Sequence, residues 1–243
     1  MGILLNAAYL MMVEGNRRPF SGTVLQLGKQ SVLFSYPSLK VIADHAKFQL
    51  ADIGIDQTSD RRLTDVEFFK LLGFDDVKAM EYGTSEGADY LWDMNNPVPY
   101  DLHRRFDCIY DGGTIEHIFH IPNCMDSICR MVKDGGRVVH DGGVSGMIDH
   151  GFYSIQPTLY NDFYKANGFE INLATISKLN LATWLTHTGV QTKYEPGMYD
   201  YHKTWANEQD AFYVGVSFAT KKESYSSMVI PQQSLWSRQS EHK

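Results

Sequence analysis

The chain has 243 residues, of which 43% are hydrophobic and 21% are charged. These proportions exclude intrinsic disorder and fit a soluble globular protein with a large core. The 22 basic and 29 acidic residues give a formal net charge of −7, which argues against nucleic acid as a partner, because binding to phosphates depends on positive charge. A small molecule is the expected partner instead.

The cysteines and the N-terminal segment both indicate a cytoplasmic protein. Cys108, Cys124 and Cys129 lie in apolar stretches and form no paired motif, which predicts buried free thiols in a reducing compartment. Residues 1–13 are apolar, but they are too short to span a bilayer and lack the features of a signal peptide. We therefore expect no membrane partner.

The predicted elements alternate between helices and strands. Residues 4–14 have the pattern of an amphipathic helix, and residues 23–27 have that of a strand ending at Gly28. Thr64 and Glu67 predict a capping box at the start of a further helix. Later in the chain a helix is predicted over residues 114–132, and strands are predicted over residues 77–80, 88–92, 106–110, 137–140 and 211–219.

This alternation predicts an α/β fold, in which a Rossmann-like, doubly wound and mostly parallel sheet carries helices on both faces. We expect a single domain over residues 1–220, followed by a polar tail over residues 221–243.

One glycine and three acidic residues follow the ends of the first four predicted strands. They are Gly28, Glu81, Asp93 and Asp111, in chain order. In an open α/β sheet, ligands bind beyond the carboxyl ends of the strands, where the strand order switches. A single ligand site at this edge is therefore predicted, although acidic residues after strands also serve as helix caps.

Five stretches of sequence resemble class I S-adenosylmethionine-dependent methyltransferases. Residues 106–118, FDCIYDGGTIEHI, resemble the fourth strand and the following turn of that family. Residues 130–139, RMVKDGGRVV, look like its turn into the fifth strand, and residues 88–99, ADYLWDMNNPVP, are similar to its third strand. Residues 150–157, HGFYSIQP, and residues 160–169, YNDFYKANGF, look like a bacterial subset of these proteins. The resemblance covers roughly residues 22–170.

The resemblance implies a methyltransferase with S-adenosylmethionine as its cofactor. The residues expected to surround that cofactor are Gly28, Gln30, Glu81, Asp93, Met94, Asp111 and Gly112. The first loop departs from the family pattern G-x-G-x-G, because Gln30 and Val32 stand where the second and third glycines would be. In the bacterial subset, however, an L-G-K/R-Q loop looks normal. Glu86 competes with Glu81 for the ribose hydroxyls.

The distance from Gly28 to Glu81 is longer than is usual in this family. Residues 35–75 are therefore interpreted as an insertion that forms part of a lid or an interface.

Methyl transfer to a hydroxyl or ammonium group requires removal of a proton, for which a base that titrates near neutral pH is useful. His150 and His117 are the candidate bases, and Tyr153 is expected to shape the acceptor pocket. The acceptor is predicted to be a small molecule with a hydroxyl or amino group, such as a sugar. The sequence is also compatible with a homo-oligomer.

Two alternatives stay open, although the favoured hypothesis uses no metal. The altered first loop is compatible with a catalytically degenerate binding or scaffold protein. His117 and His120 are three residues apart and would suit a metal-dependent enzyme, with Glu116, His140 or Asp111 as a further ligand.

Overall fold

A computed structural model describes residues 2–84, 87–198 and 210–234. The helices are α1 (Leu5–Arg17), α2 (Tyr36–Ala46), α3 (Asp65–Leu71), α4 (Ile121–Met131) and α5 (Pro157–Ala166). The strands are β1 (Thr23–Leu27), β2 (Asp76–Glu81), β3 (Tyr90–Leu91), β4 (Phe106–Asp111), β5 (Val132–Ser145), β6 (Phe169–Asn180), β7 (Val190–Lys193) and β8 (Ala211–Lys221). Short 3-10 turns occur at Tyr100–Leu102 and Ile115–His117.

The strands form one sheet in the order β3-β2-β1-β4-β5-β8-β6-β7. The first five strands pair in parallel, whereas β8 is antiparallel to both β5 and β6, and β7 is antiparallel to β6. The order 3-2-1-4-5 is that of a doubly wound nucleotide-binding sheet, which switches direction between β1 and β4. The predicted Rossmann-like, mostly parallel fold is therefore confirmed.

Helices cover both faces of the sheet because successive side chains of each central strand point to opposite sides. Val24 and Tyr110 pack into a core beneath α1, α2 and α3. Their chain neighbours Leu25 and Ile109 pack into a second core, beneath α4 and α5. The two cores fix the positions of the strand ends.

Several predicted elements agree with the structure. The capping box of α3 is confirmed, since the Thr64 hydroxyl accepts from the Glu67 amide at 3.1 Å and the Glu67 carboxylate accepts from the Thr64 amide at 2.8 Å. The predicted strand at residues 211–219 is confirmed as β8. The three cysteines are buried free thiols, as expected.

The continuous helix predicted over residues 114–132 is wrong. The chain forms only a 3-10 turn at Ile115–His117, and α4 begins at Ile121. Pro122 explains this break, because its ring cannot follow a preceding helical turn and is tolerated only at a helix start. His120 caps the new start, where its Nδ1 accepts from the Asn123 amide at 3.2 Å.

Two further regions bear on the domain expectations. Residues 35–75 supply α2 and α3, whose buried side chains belong to the core beneath α1. After β8 the chain runs back over the end of α5, where the Asn167 side chain bonds to both the amide and the carbonyl of Val229.

In the described parts of the chain, no helix has the length and hydrophobicity needed to cross a membrane.

Candidate functional site

A cavity of about 420 Å³ lies at the carboxyl ends of β1 and β2, next to the switch in strand order. Five residues predicted for the site line it, namely Gly28, Glu81, Asp93, Met94 and His117. Its walls also include apolar side chains contributed by β1, by β2 and by the turn after β4. Polar groups from several strand ends therefore converge on one partly apolar space, as is typical of small-molecule sites.

Gly28 has a conformation and a neighbour that exclude a side chain. Its φ is +73°, in the left-handed region that favours glycine. A Cβ here would lie 2.5 Å from the Thr114 hydroxyl oxygen. That hydroxyl is itself held in place, because it donates to the Leu27 carbonyl at 2.5 Å. The turn after β1 therefore lies directly against the turn after β4, with backbone lining the cavity.

The two cavity carboxylates are positioned by backbone and amide groups. Oε1 of Glu81 accepts from the Lys29 amide at 2.6 Å, which links the end of β2 to the turn after β1. Oδ1 of Asp93 accepts from the backbone amide of Asn95 at 2.9 Å and from its side-chain amide at 2.8 Å. Both carboxylates border the cavity as oriented acceptors. Glu86, the competing acidic residue, lies outside the described residues.

Gln30 does not line the cavity, and its side chain supports the first loop. Its Nε2 donates to the carbonyls of Leu27 and Gly28 at 3.2 and 2.9 Å, and its backbone amide donates to Gln26. Gly112 packs against it, so that a Cβ at that position would lie 2.5 Å from Oε1 of Gln30. Val32 is buried in the core. These side chains therefore leave the cavity open.

Asp111 is buried behind the cavity. Its Oδ1 accepts from the amides of Thr114 and Ile115 at 2.9 and 3.2 Å, which shapes the turn after β4. Its Oδ2 lies 2.7 Å from Nδ1 of His140, whose Nε2 lies 2.7 Å from the Tyr164 hydroxyl. Asp111 and His140 therefore hold each other and the turn in place.

Beside the cavity, Glu116, His117 and His150 form a cluster of titratable side chains. Glu116 is only 3% exposed, and burial together with the negative charge of Asp111 raises its pKa to about 7. The rings of His117 and His150 are 5.1 Å apart. Burial lowers the pKa of each histidine, and for His150 the neighbouring His117 lowers it further. Both shifts favour the neutral imidazole.

The loop after β5 brings His150 to this cluster because it is bonded to the backbone of Glu116. The Glu116 carbonyl accepts from the amides of Phe152 and Tyr153 at 2.9 and 3.3 Å. The Tyr153 hydroxyl donates to the Phe119 carbonyl at 2.9 Å. Tyr153 thus fixes the loop that carries His150, and its own side chain is half-exposed.

In the structure, two of the histidines considered as metal ligands from the sequence have other partners. His120 caps α4 through the Asn123 amide, and His140 is paired with Asp111. Glu116 is the functional candidate that sequence reasoning treated only as a further ligand. In the sequence, Glu116 could be recognised only from its position next to His117 after β4. Its closeness to His150 could not be predicted, because His150 lies on a loop that is distant in the chain.

Comparisons with known proteins identify similar folds but no family. No protein-family model and no curated protein sequence matches the chain. Similar solved structures include the YcgJ protein of Bacillus subtilis, with 8% identity, 89% of this chain and 98% of that chain covered, and a TM-score of 0.46.

Two further similar structures are methyltransferases. The structure of the 1,6-didemethyltoxoflavin-N1-methyltransferase of Burkholderia thailandensis contains bound 1,6-didemethyltoxoflavin and S-adenosylhomocysteine. It shares 12% identity over 90% of this chain and 78% of that chain, with a TM-score of 0.44. A SAM-dependent methyltransferase of Thermotoga maritima shares 17% identity over 90% of this chain and 92% of that chain, with a TM-score of 0.39. Likeness at this level does not assign an activity.

Proposed function

We propose that the chain is an S-adenosylmethionine-dependent methyltransferase that acts on a hydroxyl or amino group of a small molecule, such as a sugar. The observation that supports this most directly is the cavity at the sheet edge. There the backbone of Gly28 and the carboxylates of Glu81 and Asp93 lie next to His117. The cavity thus combines acceptors for a hydroxylated ligand with a basic group beside them.

The cofactor end of the site consists of Gly28, Glu81, Asp93 and Met94. Glu81 is the last residue of β2, and its carboxylate would accept hydrogen bonds from the ribose hydroxyls. Asp93 and Met94 follow β3 and offer a carboxylate and an apolar surface to the adenine. Gly28 lets the ligand approach the backbone, since it carries no side chain. When bound, the cofactor supplies an electrophilic methyl group on a sulfonium centre.

The fit to the cofactor depends on the first loop, where two family glycines are missing. Gln30 takes over part of their role, because its side-chain amide bonds to the loop's own carbonyls. Since neither Gln30 nor Val32 lines the cavity, the substitutions leave room for a ligand. This is the feature that favours an active cofactor site over a degenerate one.

The acceptor end of the site consists of His117, His150 and Tyr153. A neutral imidazole beside the reacting atoms can take the proton that a hydroxyl or ammonium acceptor must lose. Tyr153 holds the loop that carries His150. Asp111 and Gly112 support the site from behind, through the turn after β4.

Titration calorimetry of the 243-residue protein with S-adenosylmethionine and S-adenosylhomocysteine tests this proposal. We expect both to bind in the micromolar range. Asp93→Ala and Glu81→Gln should each weaken binding by about tenfold or more, because each removes a charged hydrogen-bond acceptor. Asp76→Asn is the matched control, since it changes a carboxylate at the opposite end of β2. Absence of binding by folded wild-type protein would contradict the proposal.

A further inference from the structure

Three donor side chains meet beside the cavity without an obvious structural reason. Glu116, His117 and His150 each offer one ligand atom, and these atoms all lie within 4.8 Å of one another. Glu116 and His117 come from the turn after β4, whereas His150 comes from the loop after β5. The fold therefore brings together two imidazoles and a carboxylate from separate segments.

The spacing of these atoms is close to what a metal ion requires. Zinc binds nitrogen and oxygen ligands at about 2.1 Å, so two ligands of a tetrahedral site lie about 3.4 Å apart. Nε2 of His150 lies 3.6 Å from Oε1 of Glu116. The pairs that involve His117 lie within 4.8 Å.

Two of the three ligand atoms are buried and unpaired. Oε1 of Glu116 and Nε2 of His150 have no hydrogen-bond partner among the described residues, and the distance between them is too long for a hydrogen bond. Leaving buried polar atoms unpaired is costly. A cation between them would satisfy both at once, whereas their present separation of 3.6 Å leaves neither with a hydrogen bond.

We propose that Glu116, His117 and His150 bind a divalent transition-metal ion. Two imidazoles and one carboxylate are a ligand set that suits zinc, iron(II) or manganese and leaves coordination positions open. Because His117 also lines the cavity, the open positions border the space proposed for the reactants.

The role of the ion rests on the proposed function, but its binding does not. A divalent ion lowers the pKa of a hydroxyl group that coordinates it. The ion would therefore promote loss of the acceptor's proton, which an imidazole base would otherwise remove. The bond changes are unaltered: the acceptor oxygen bonds to the methyl carbon, the carbon–sulfur bond breaks with its electron pair on sulfur, and the hydroxyl proton passes to solvent water.

Metal titration of the 243-residue protein is the direct test. Protein freed of metal with EDTA is titrated with Zn²⁺ by calorimetry and with Co²⁺ by visible absorption, which reports nitrogen and oxygen coordination. We expect one ion per chain. Glu116→Gln and His150→Ala should each weaken binding by more than the roughly 10–100-fold that follows loss of an outer-sphere partner. His117→Ala provides a third variant in case the buried Glu116→Gln protein misfolds.

His120→Asn is the matched control, because it removes a nearby imidazole while asparagine preserves a cap for α4. It should bind metal as the wild type does. The inference is overturned if wild-type protein binds no metal, or if His120→Asn loses as much affinity as His150→Ala. A parallel titration of metal-free protein with S-adenosylhomocysteine separates the two proposals: cofactor binding without metal binding overturns only the metal site, and the converse overturns only the cofactor site.

Discussion

Gly28 joins the turn after β1 to the turn after β4, and a substitution there tests how tightly the cavity is built. Gly28→Ala would place a non-glycine residue at a φ of +73° and its Cβ 2.5 Å from the Thr114 hydroxyl. Strain at such a position costs about 1–3 kcal/mol, and Thr114 cannot retreat without losing its bond to Leu27. We expect a loss of stability together with weaker S-adenosylhomocysteine binding, measured by urea unfolding and calorimetry.

Gly54→Ala distinguishes the effect of backbone strain from that of the steric clash with Thr114. Gly54 has nearly the same φ, +71°, but a Cβ there would meet nothing within 4 Å. Its substitution should cost about 1 kcal/mol and leave ligand binding unchanged. Equal losses from the two variants would show that the contact with Thr114 contributes nothing.

The residues of the candidate site show where sequence reasoning reaches its limit. Of the seven residues predicted to bind the cofactor, four line the cavity, whereas Gln30, Asp111 and Gly112 lie behind it. The strand-end pattern correctly indicates an edge of the sheet, but it cannot tell a carboxylate that faces a ligand from one that caps a turn. For Asp111 the difference depends on His140, a neighbour on β5 that becomes adjacent only through the strand pairing.

At the scale of single elements, α3 tests whether residues 35–75 move independently of the sheet. Phe69 of α3 is fully buried, and its ring lies 5.3 Å from that of Tyr110 in β4. We expect Phe69→Ala to lower the free energy of global unfolding by about 3–5 kcal/mol, because it leaves a cavity in the shared core. Urea denaturation followed by circular dichroism measures this change.

Val66→Ala is the control for α3, since Val66 lies in the same helix but is 42% exposed. Its effect should stay within about 0.5 kcal/mol. If Phe69→Ala has an equally small effect on global unfolding, α3 behaves as a separable lid rather than as part of the core.

Element types were easier to predict than their limits and partners. The alternation of strands and helices and the Thr64 capping box are local signals, and both agree with the structure. The insertion of β8 between β5 and β6 is different, because it depends on pairing between distant segments. Pro122 is the local signal for the start of α4, because proline is favoured in the first turn of a helix.

At the scale of the whole molecule, buried carboxyl groups should make stability fall as pH rises. Asp141 on β5 is buried, and burial raises its pKa from 3.8 to about 7, although a hydrogen bond from Tyr110 opposes the shift. Between these two values the folded protein holds a proton that the unfolded chain releases. This group's contribution to stability is therefore fully present below about pH 4 and is lost as pH rises through about 7.

Asp141→Asn isolates this effect, because asparagine keeps an acceptor for the Tyr110 hydroxyl and does not titrate. Between about pH 5 and about pH 8 the wild type should lose on the order of 3 kcal/mol more stability than the variant, since each unit of pKa shift corresponds to about 1.4 kcal/mol. Glu116 is present in both proteins, but the negative charge of Asp141 contributes to its raised pKa, so a smaller part of the difference reports that interaction. Urea unfolding of both proteins across this range measures the difference. Parallel pH profiles would mean that Asp141 is ionised in the folded protein at low pH, held there by interactions that offset its burial.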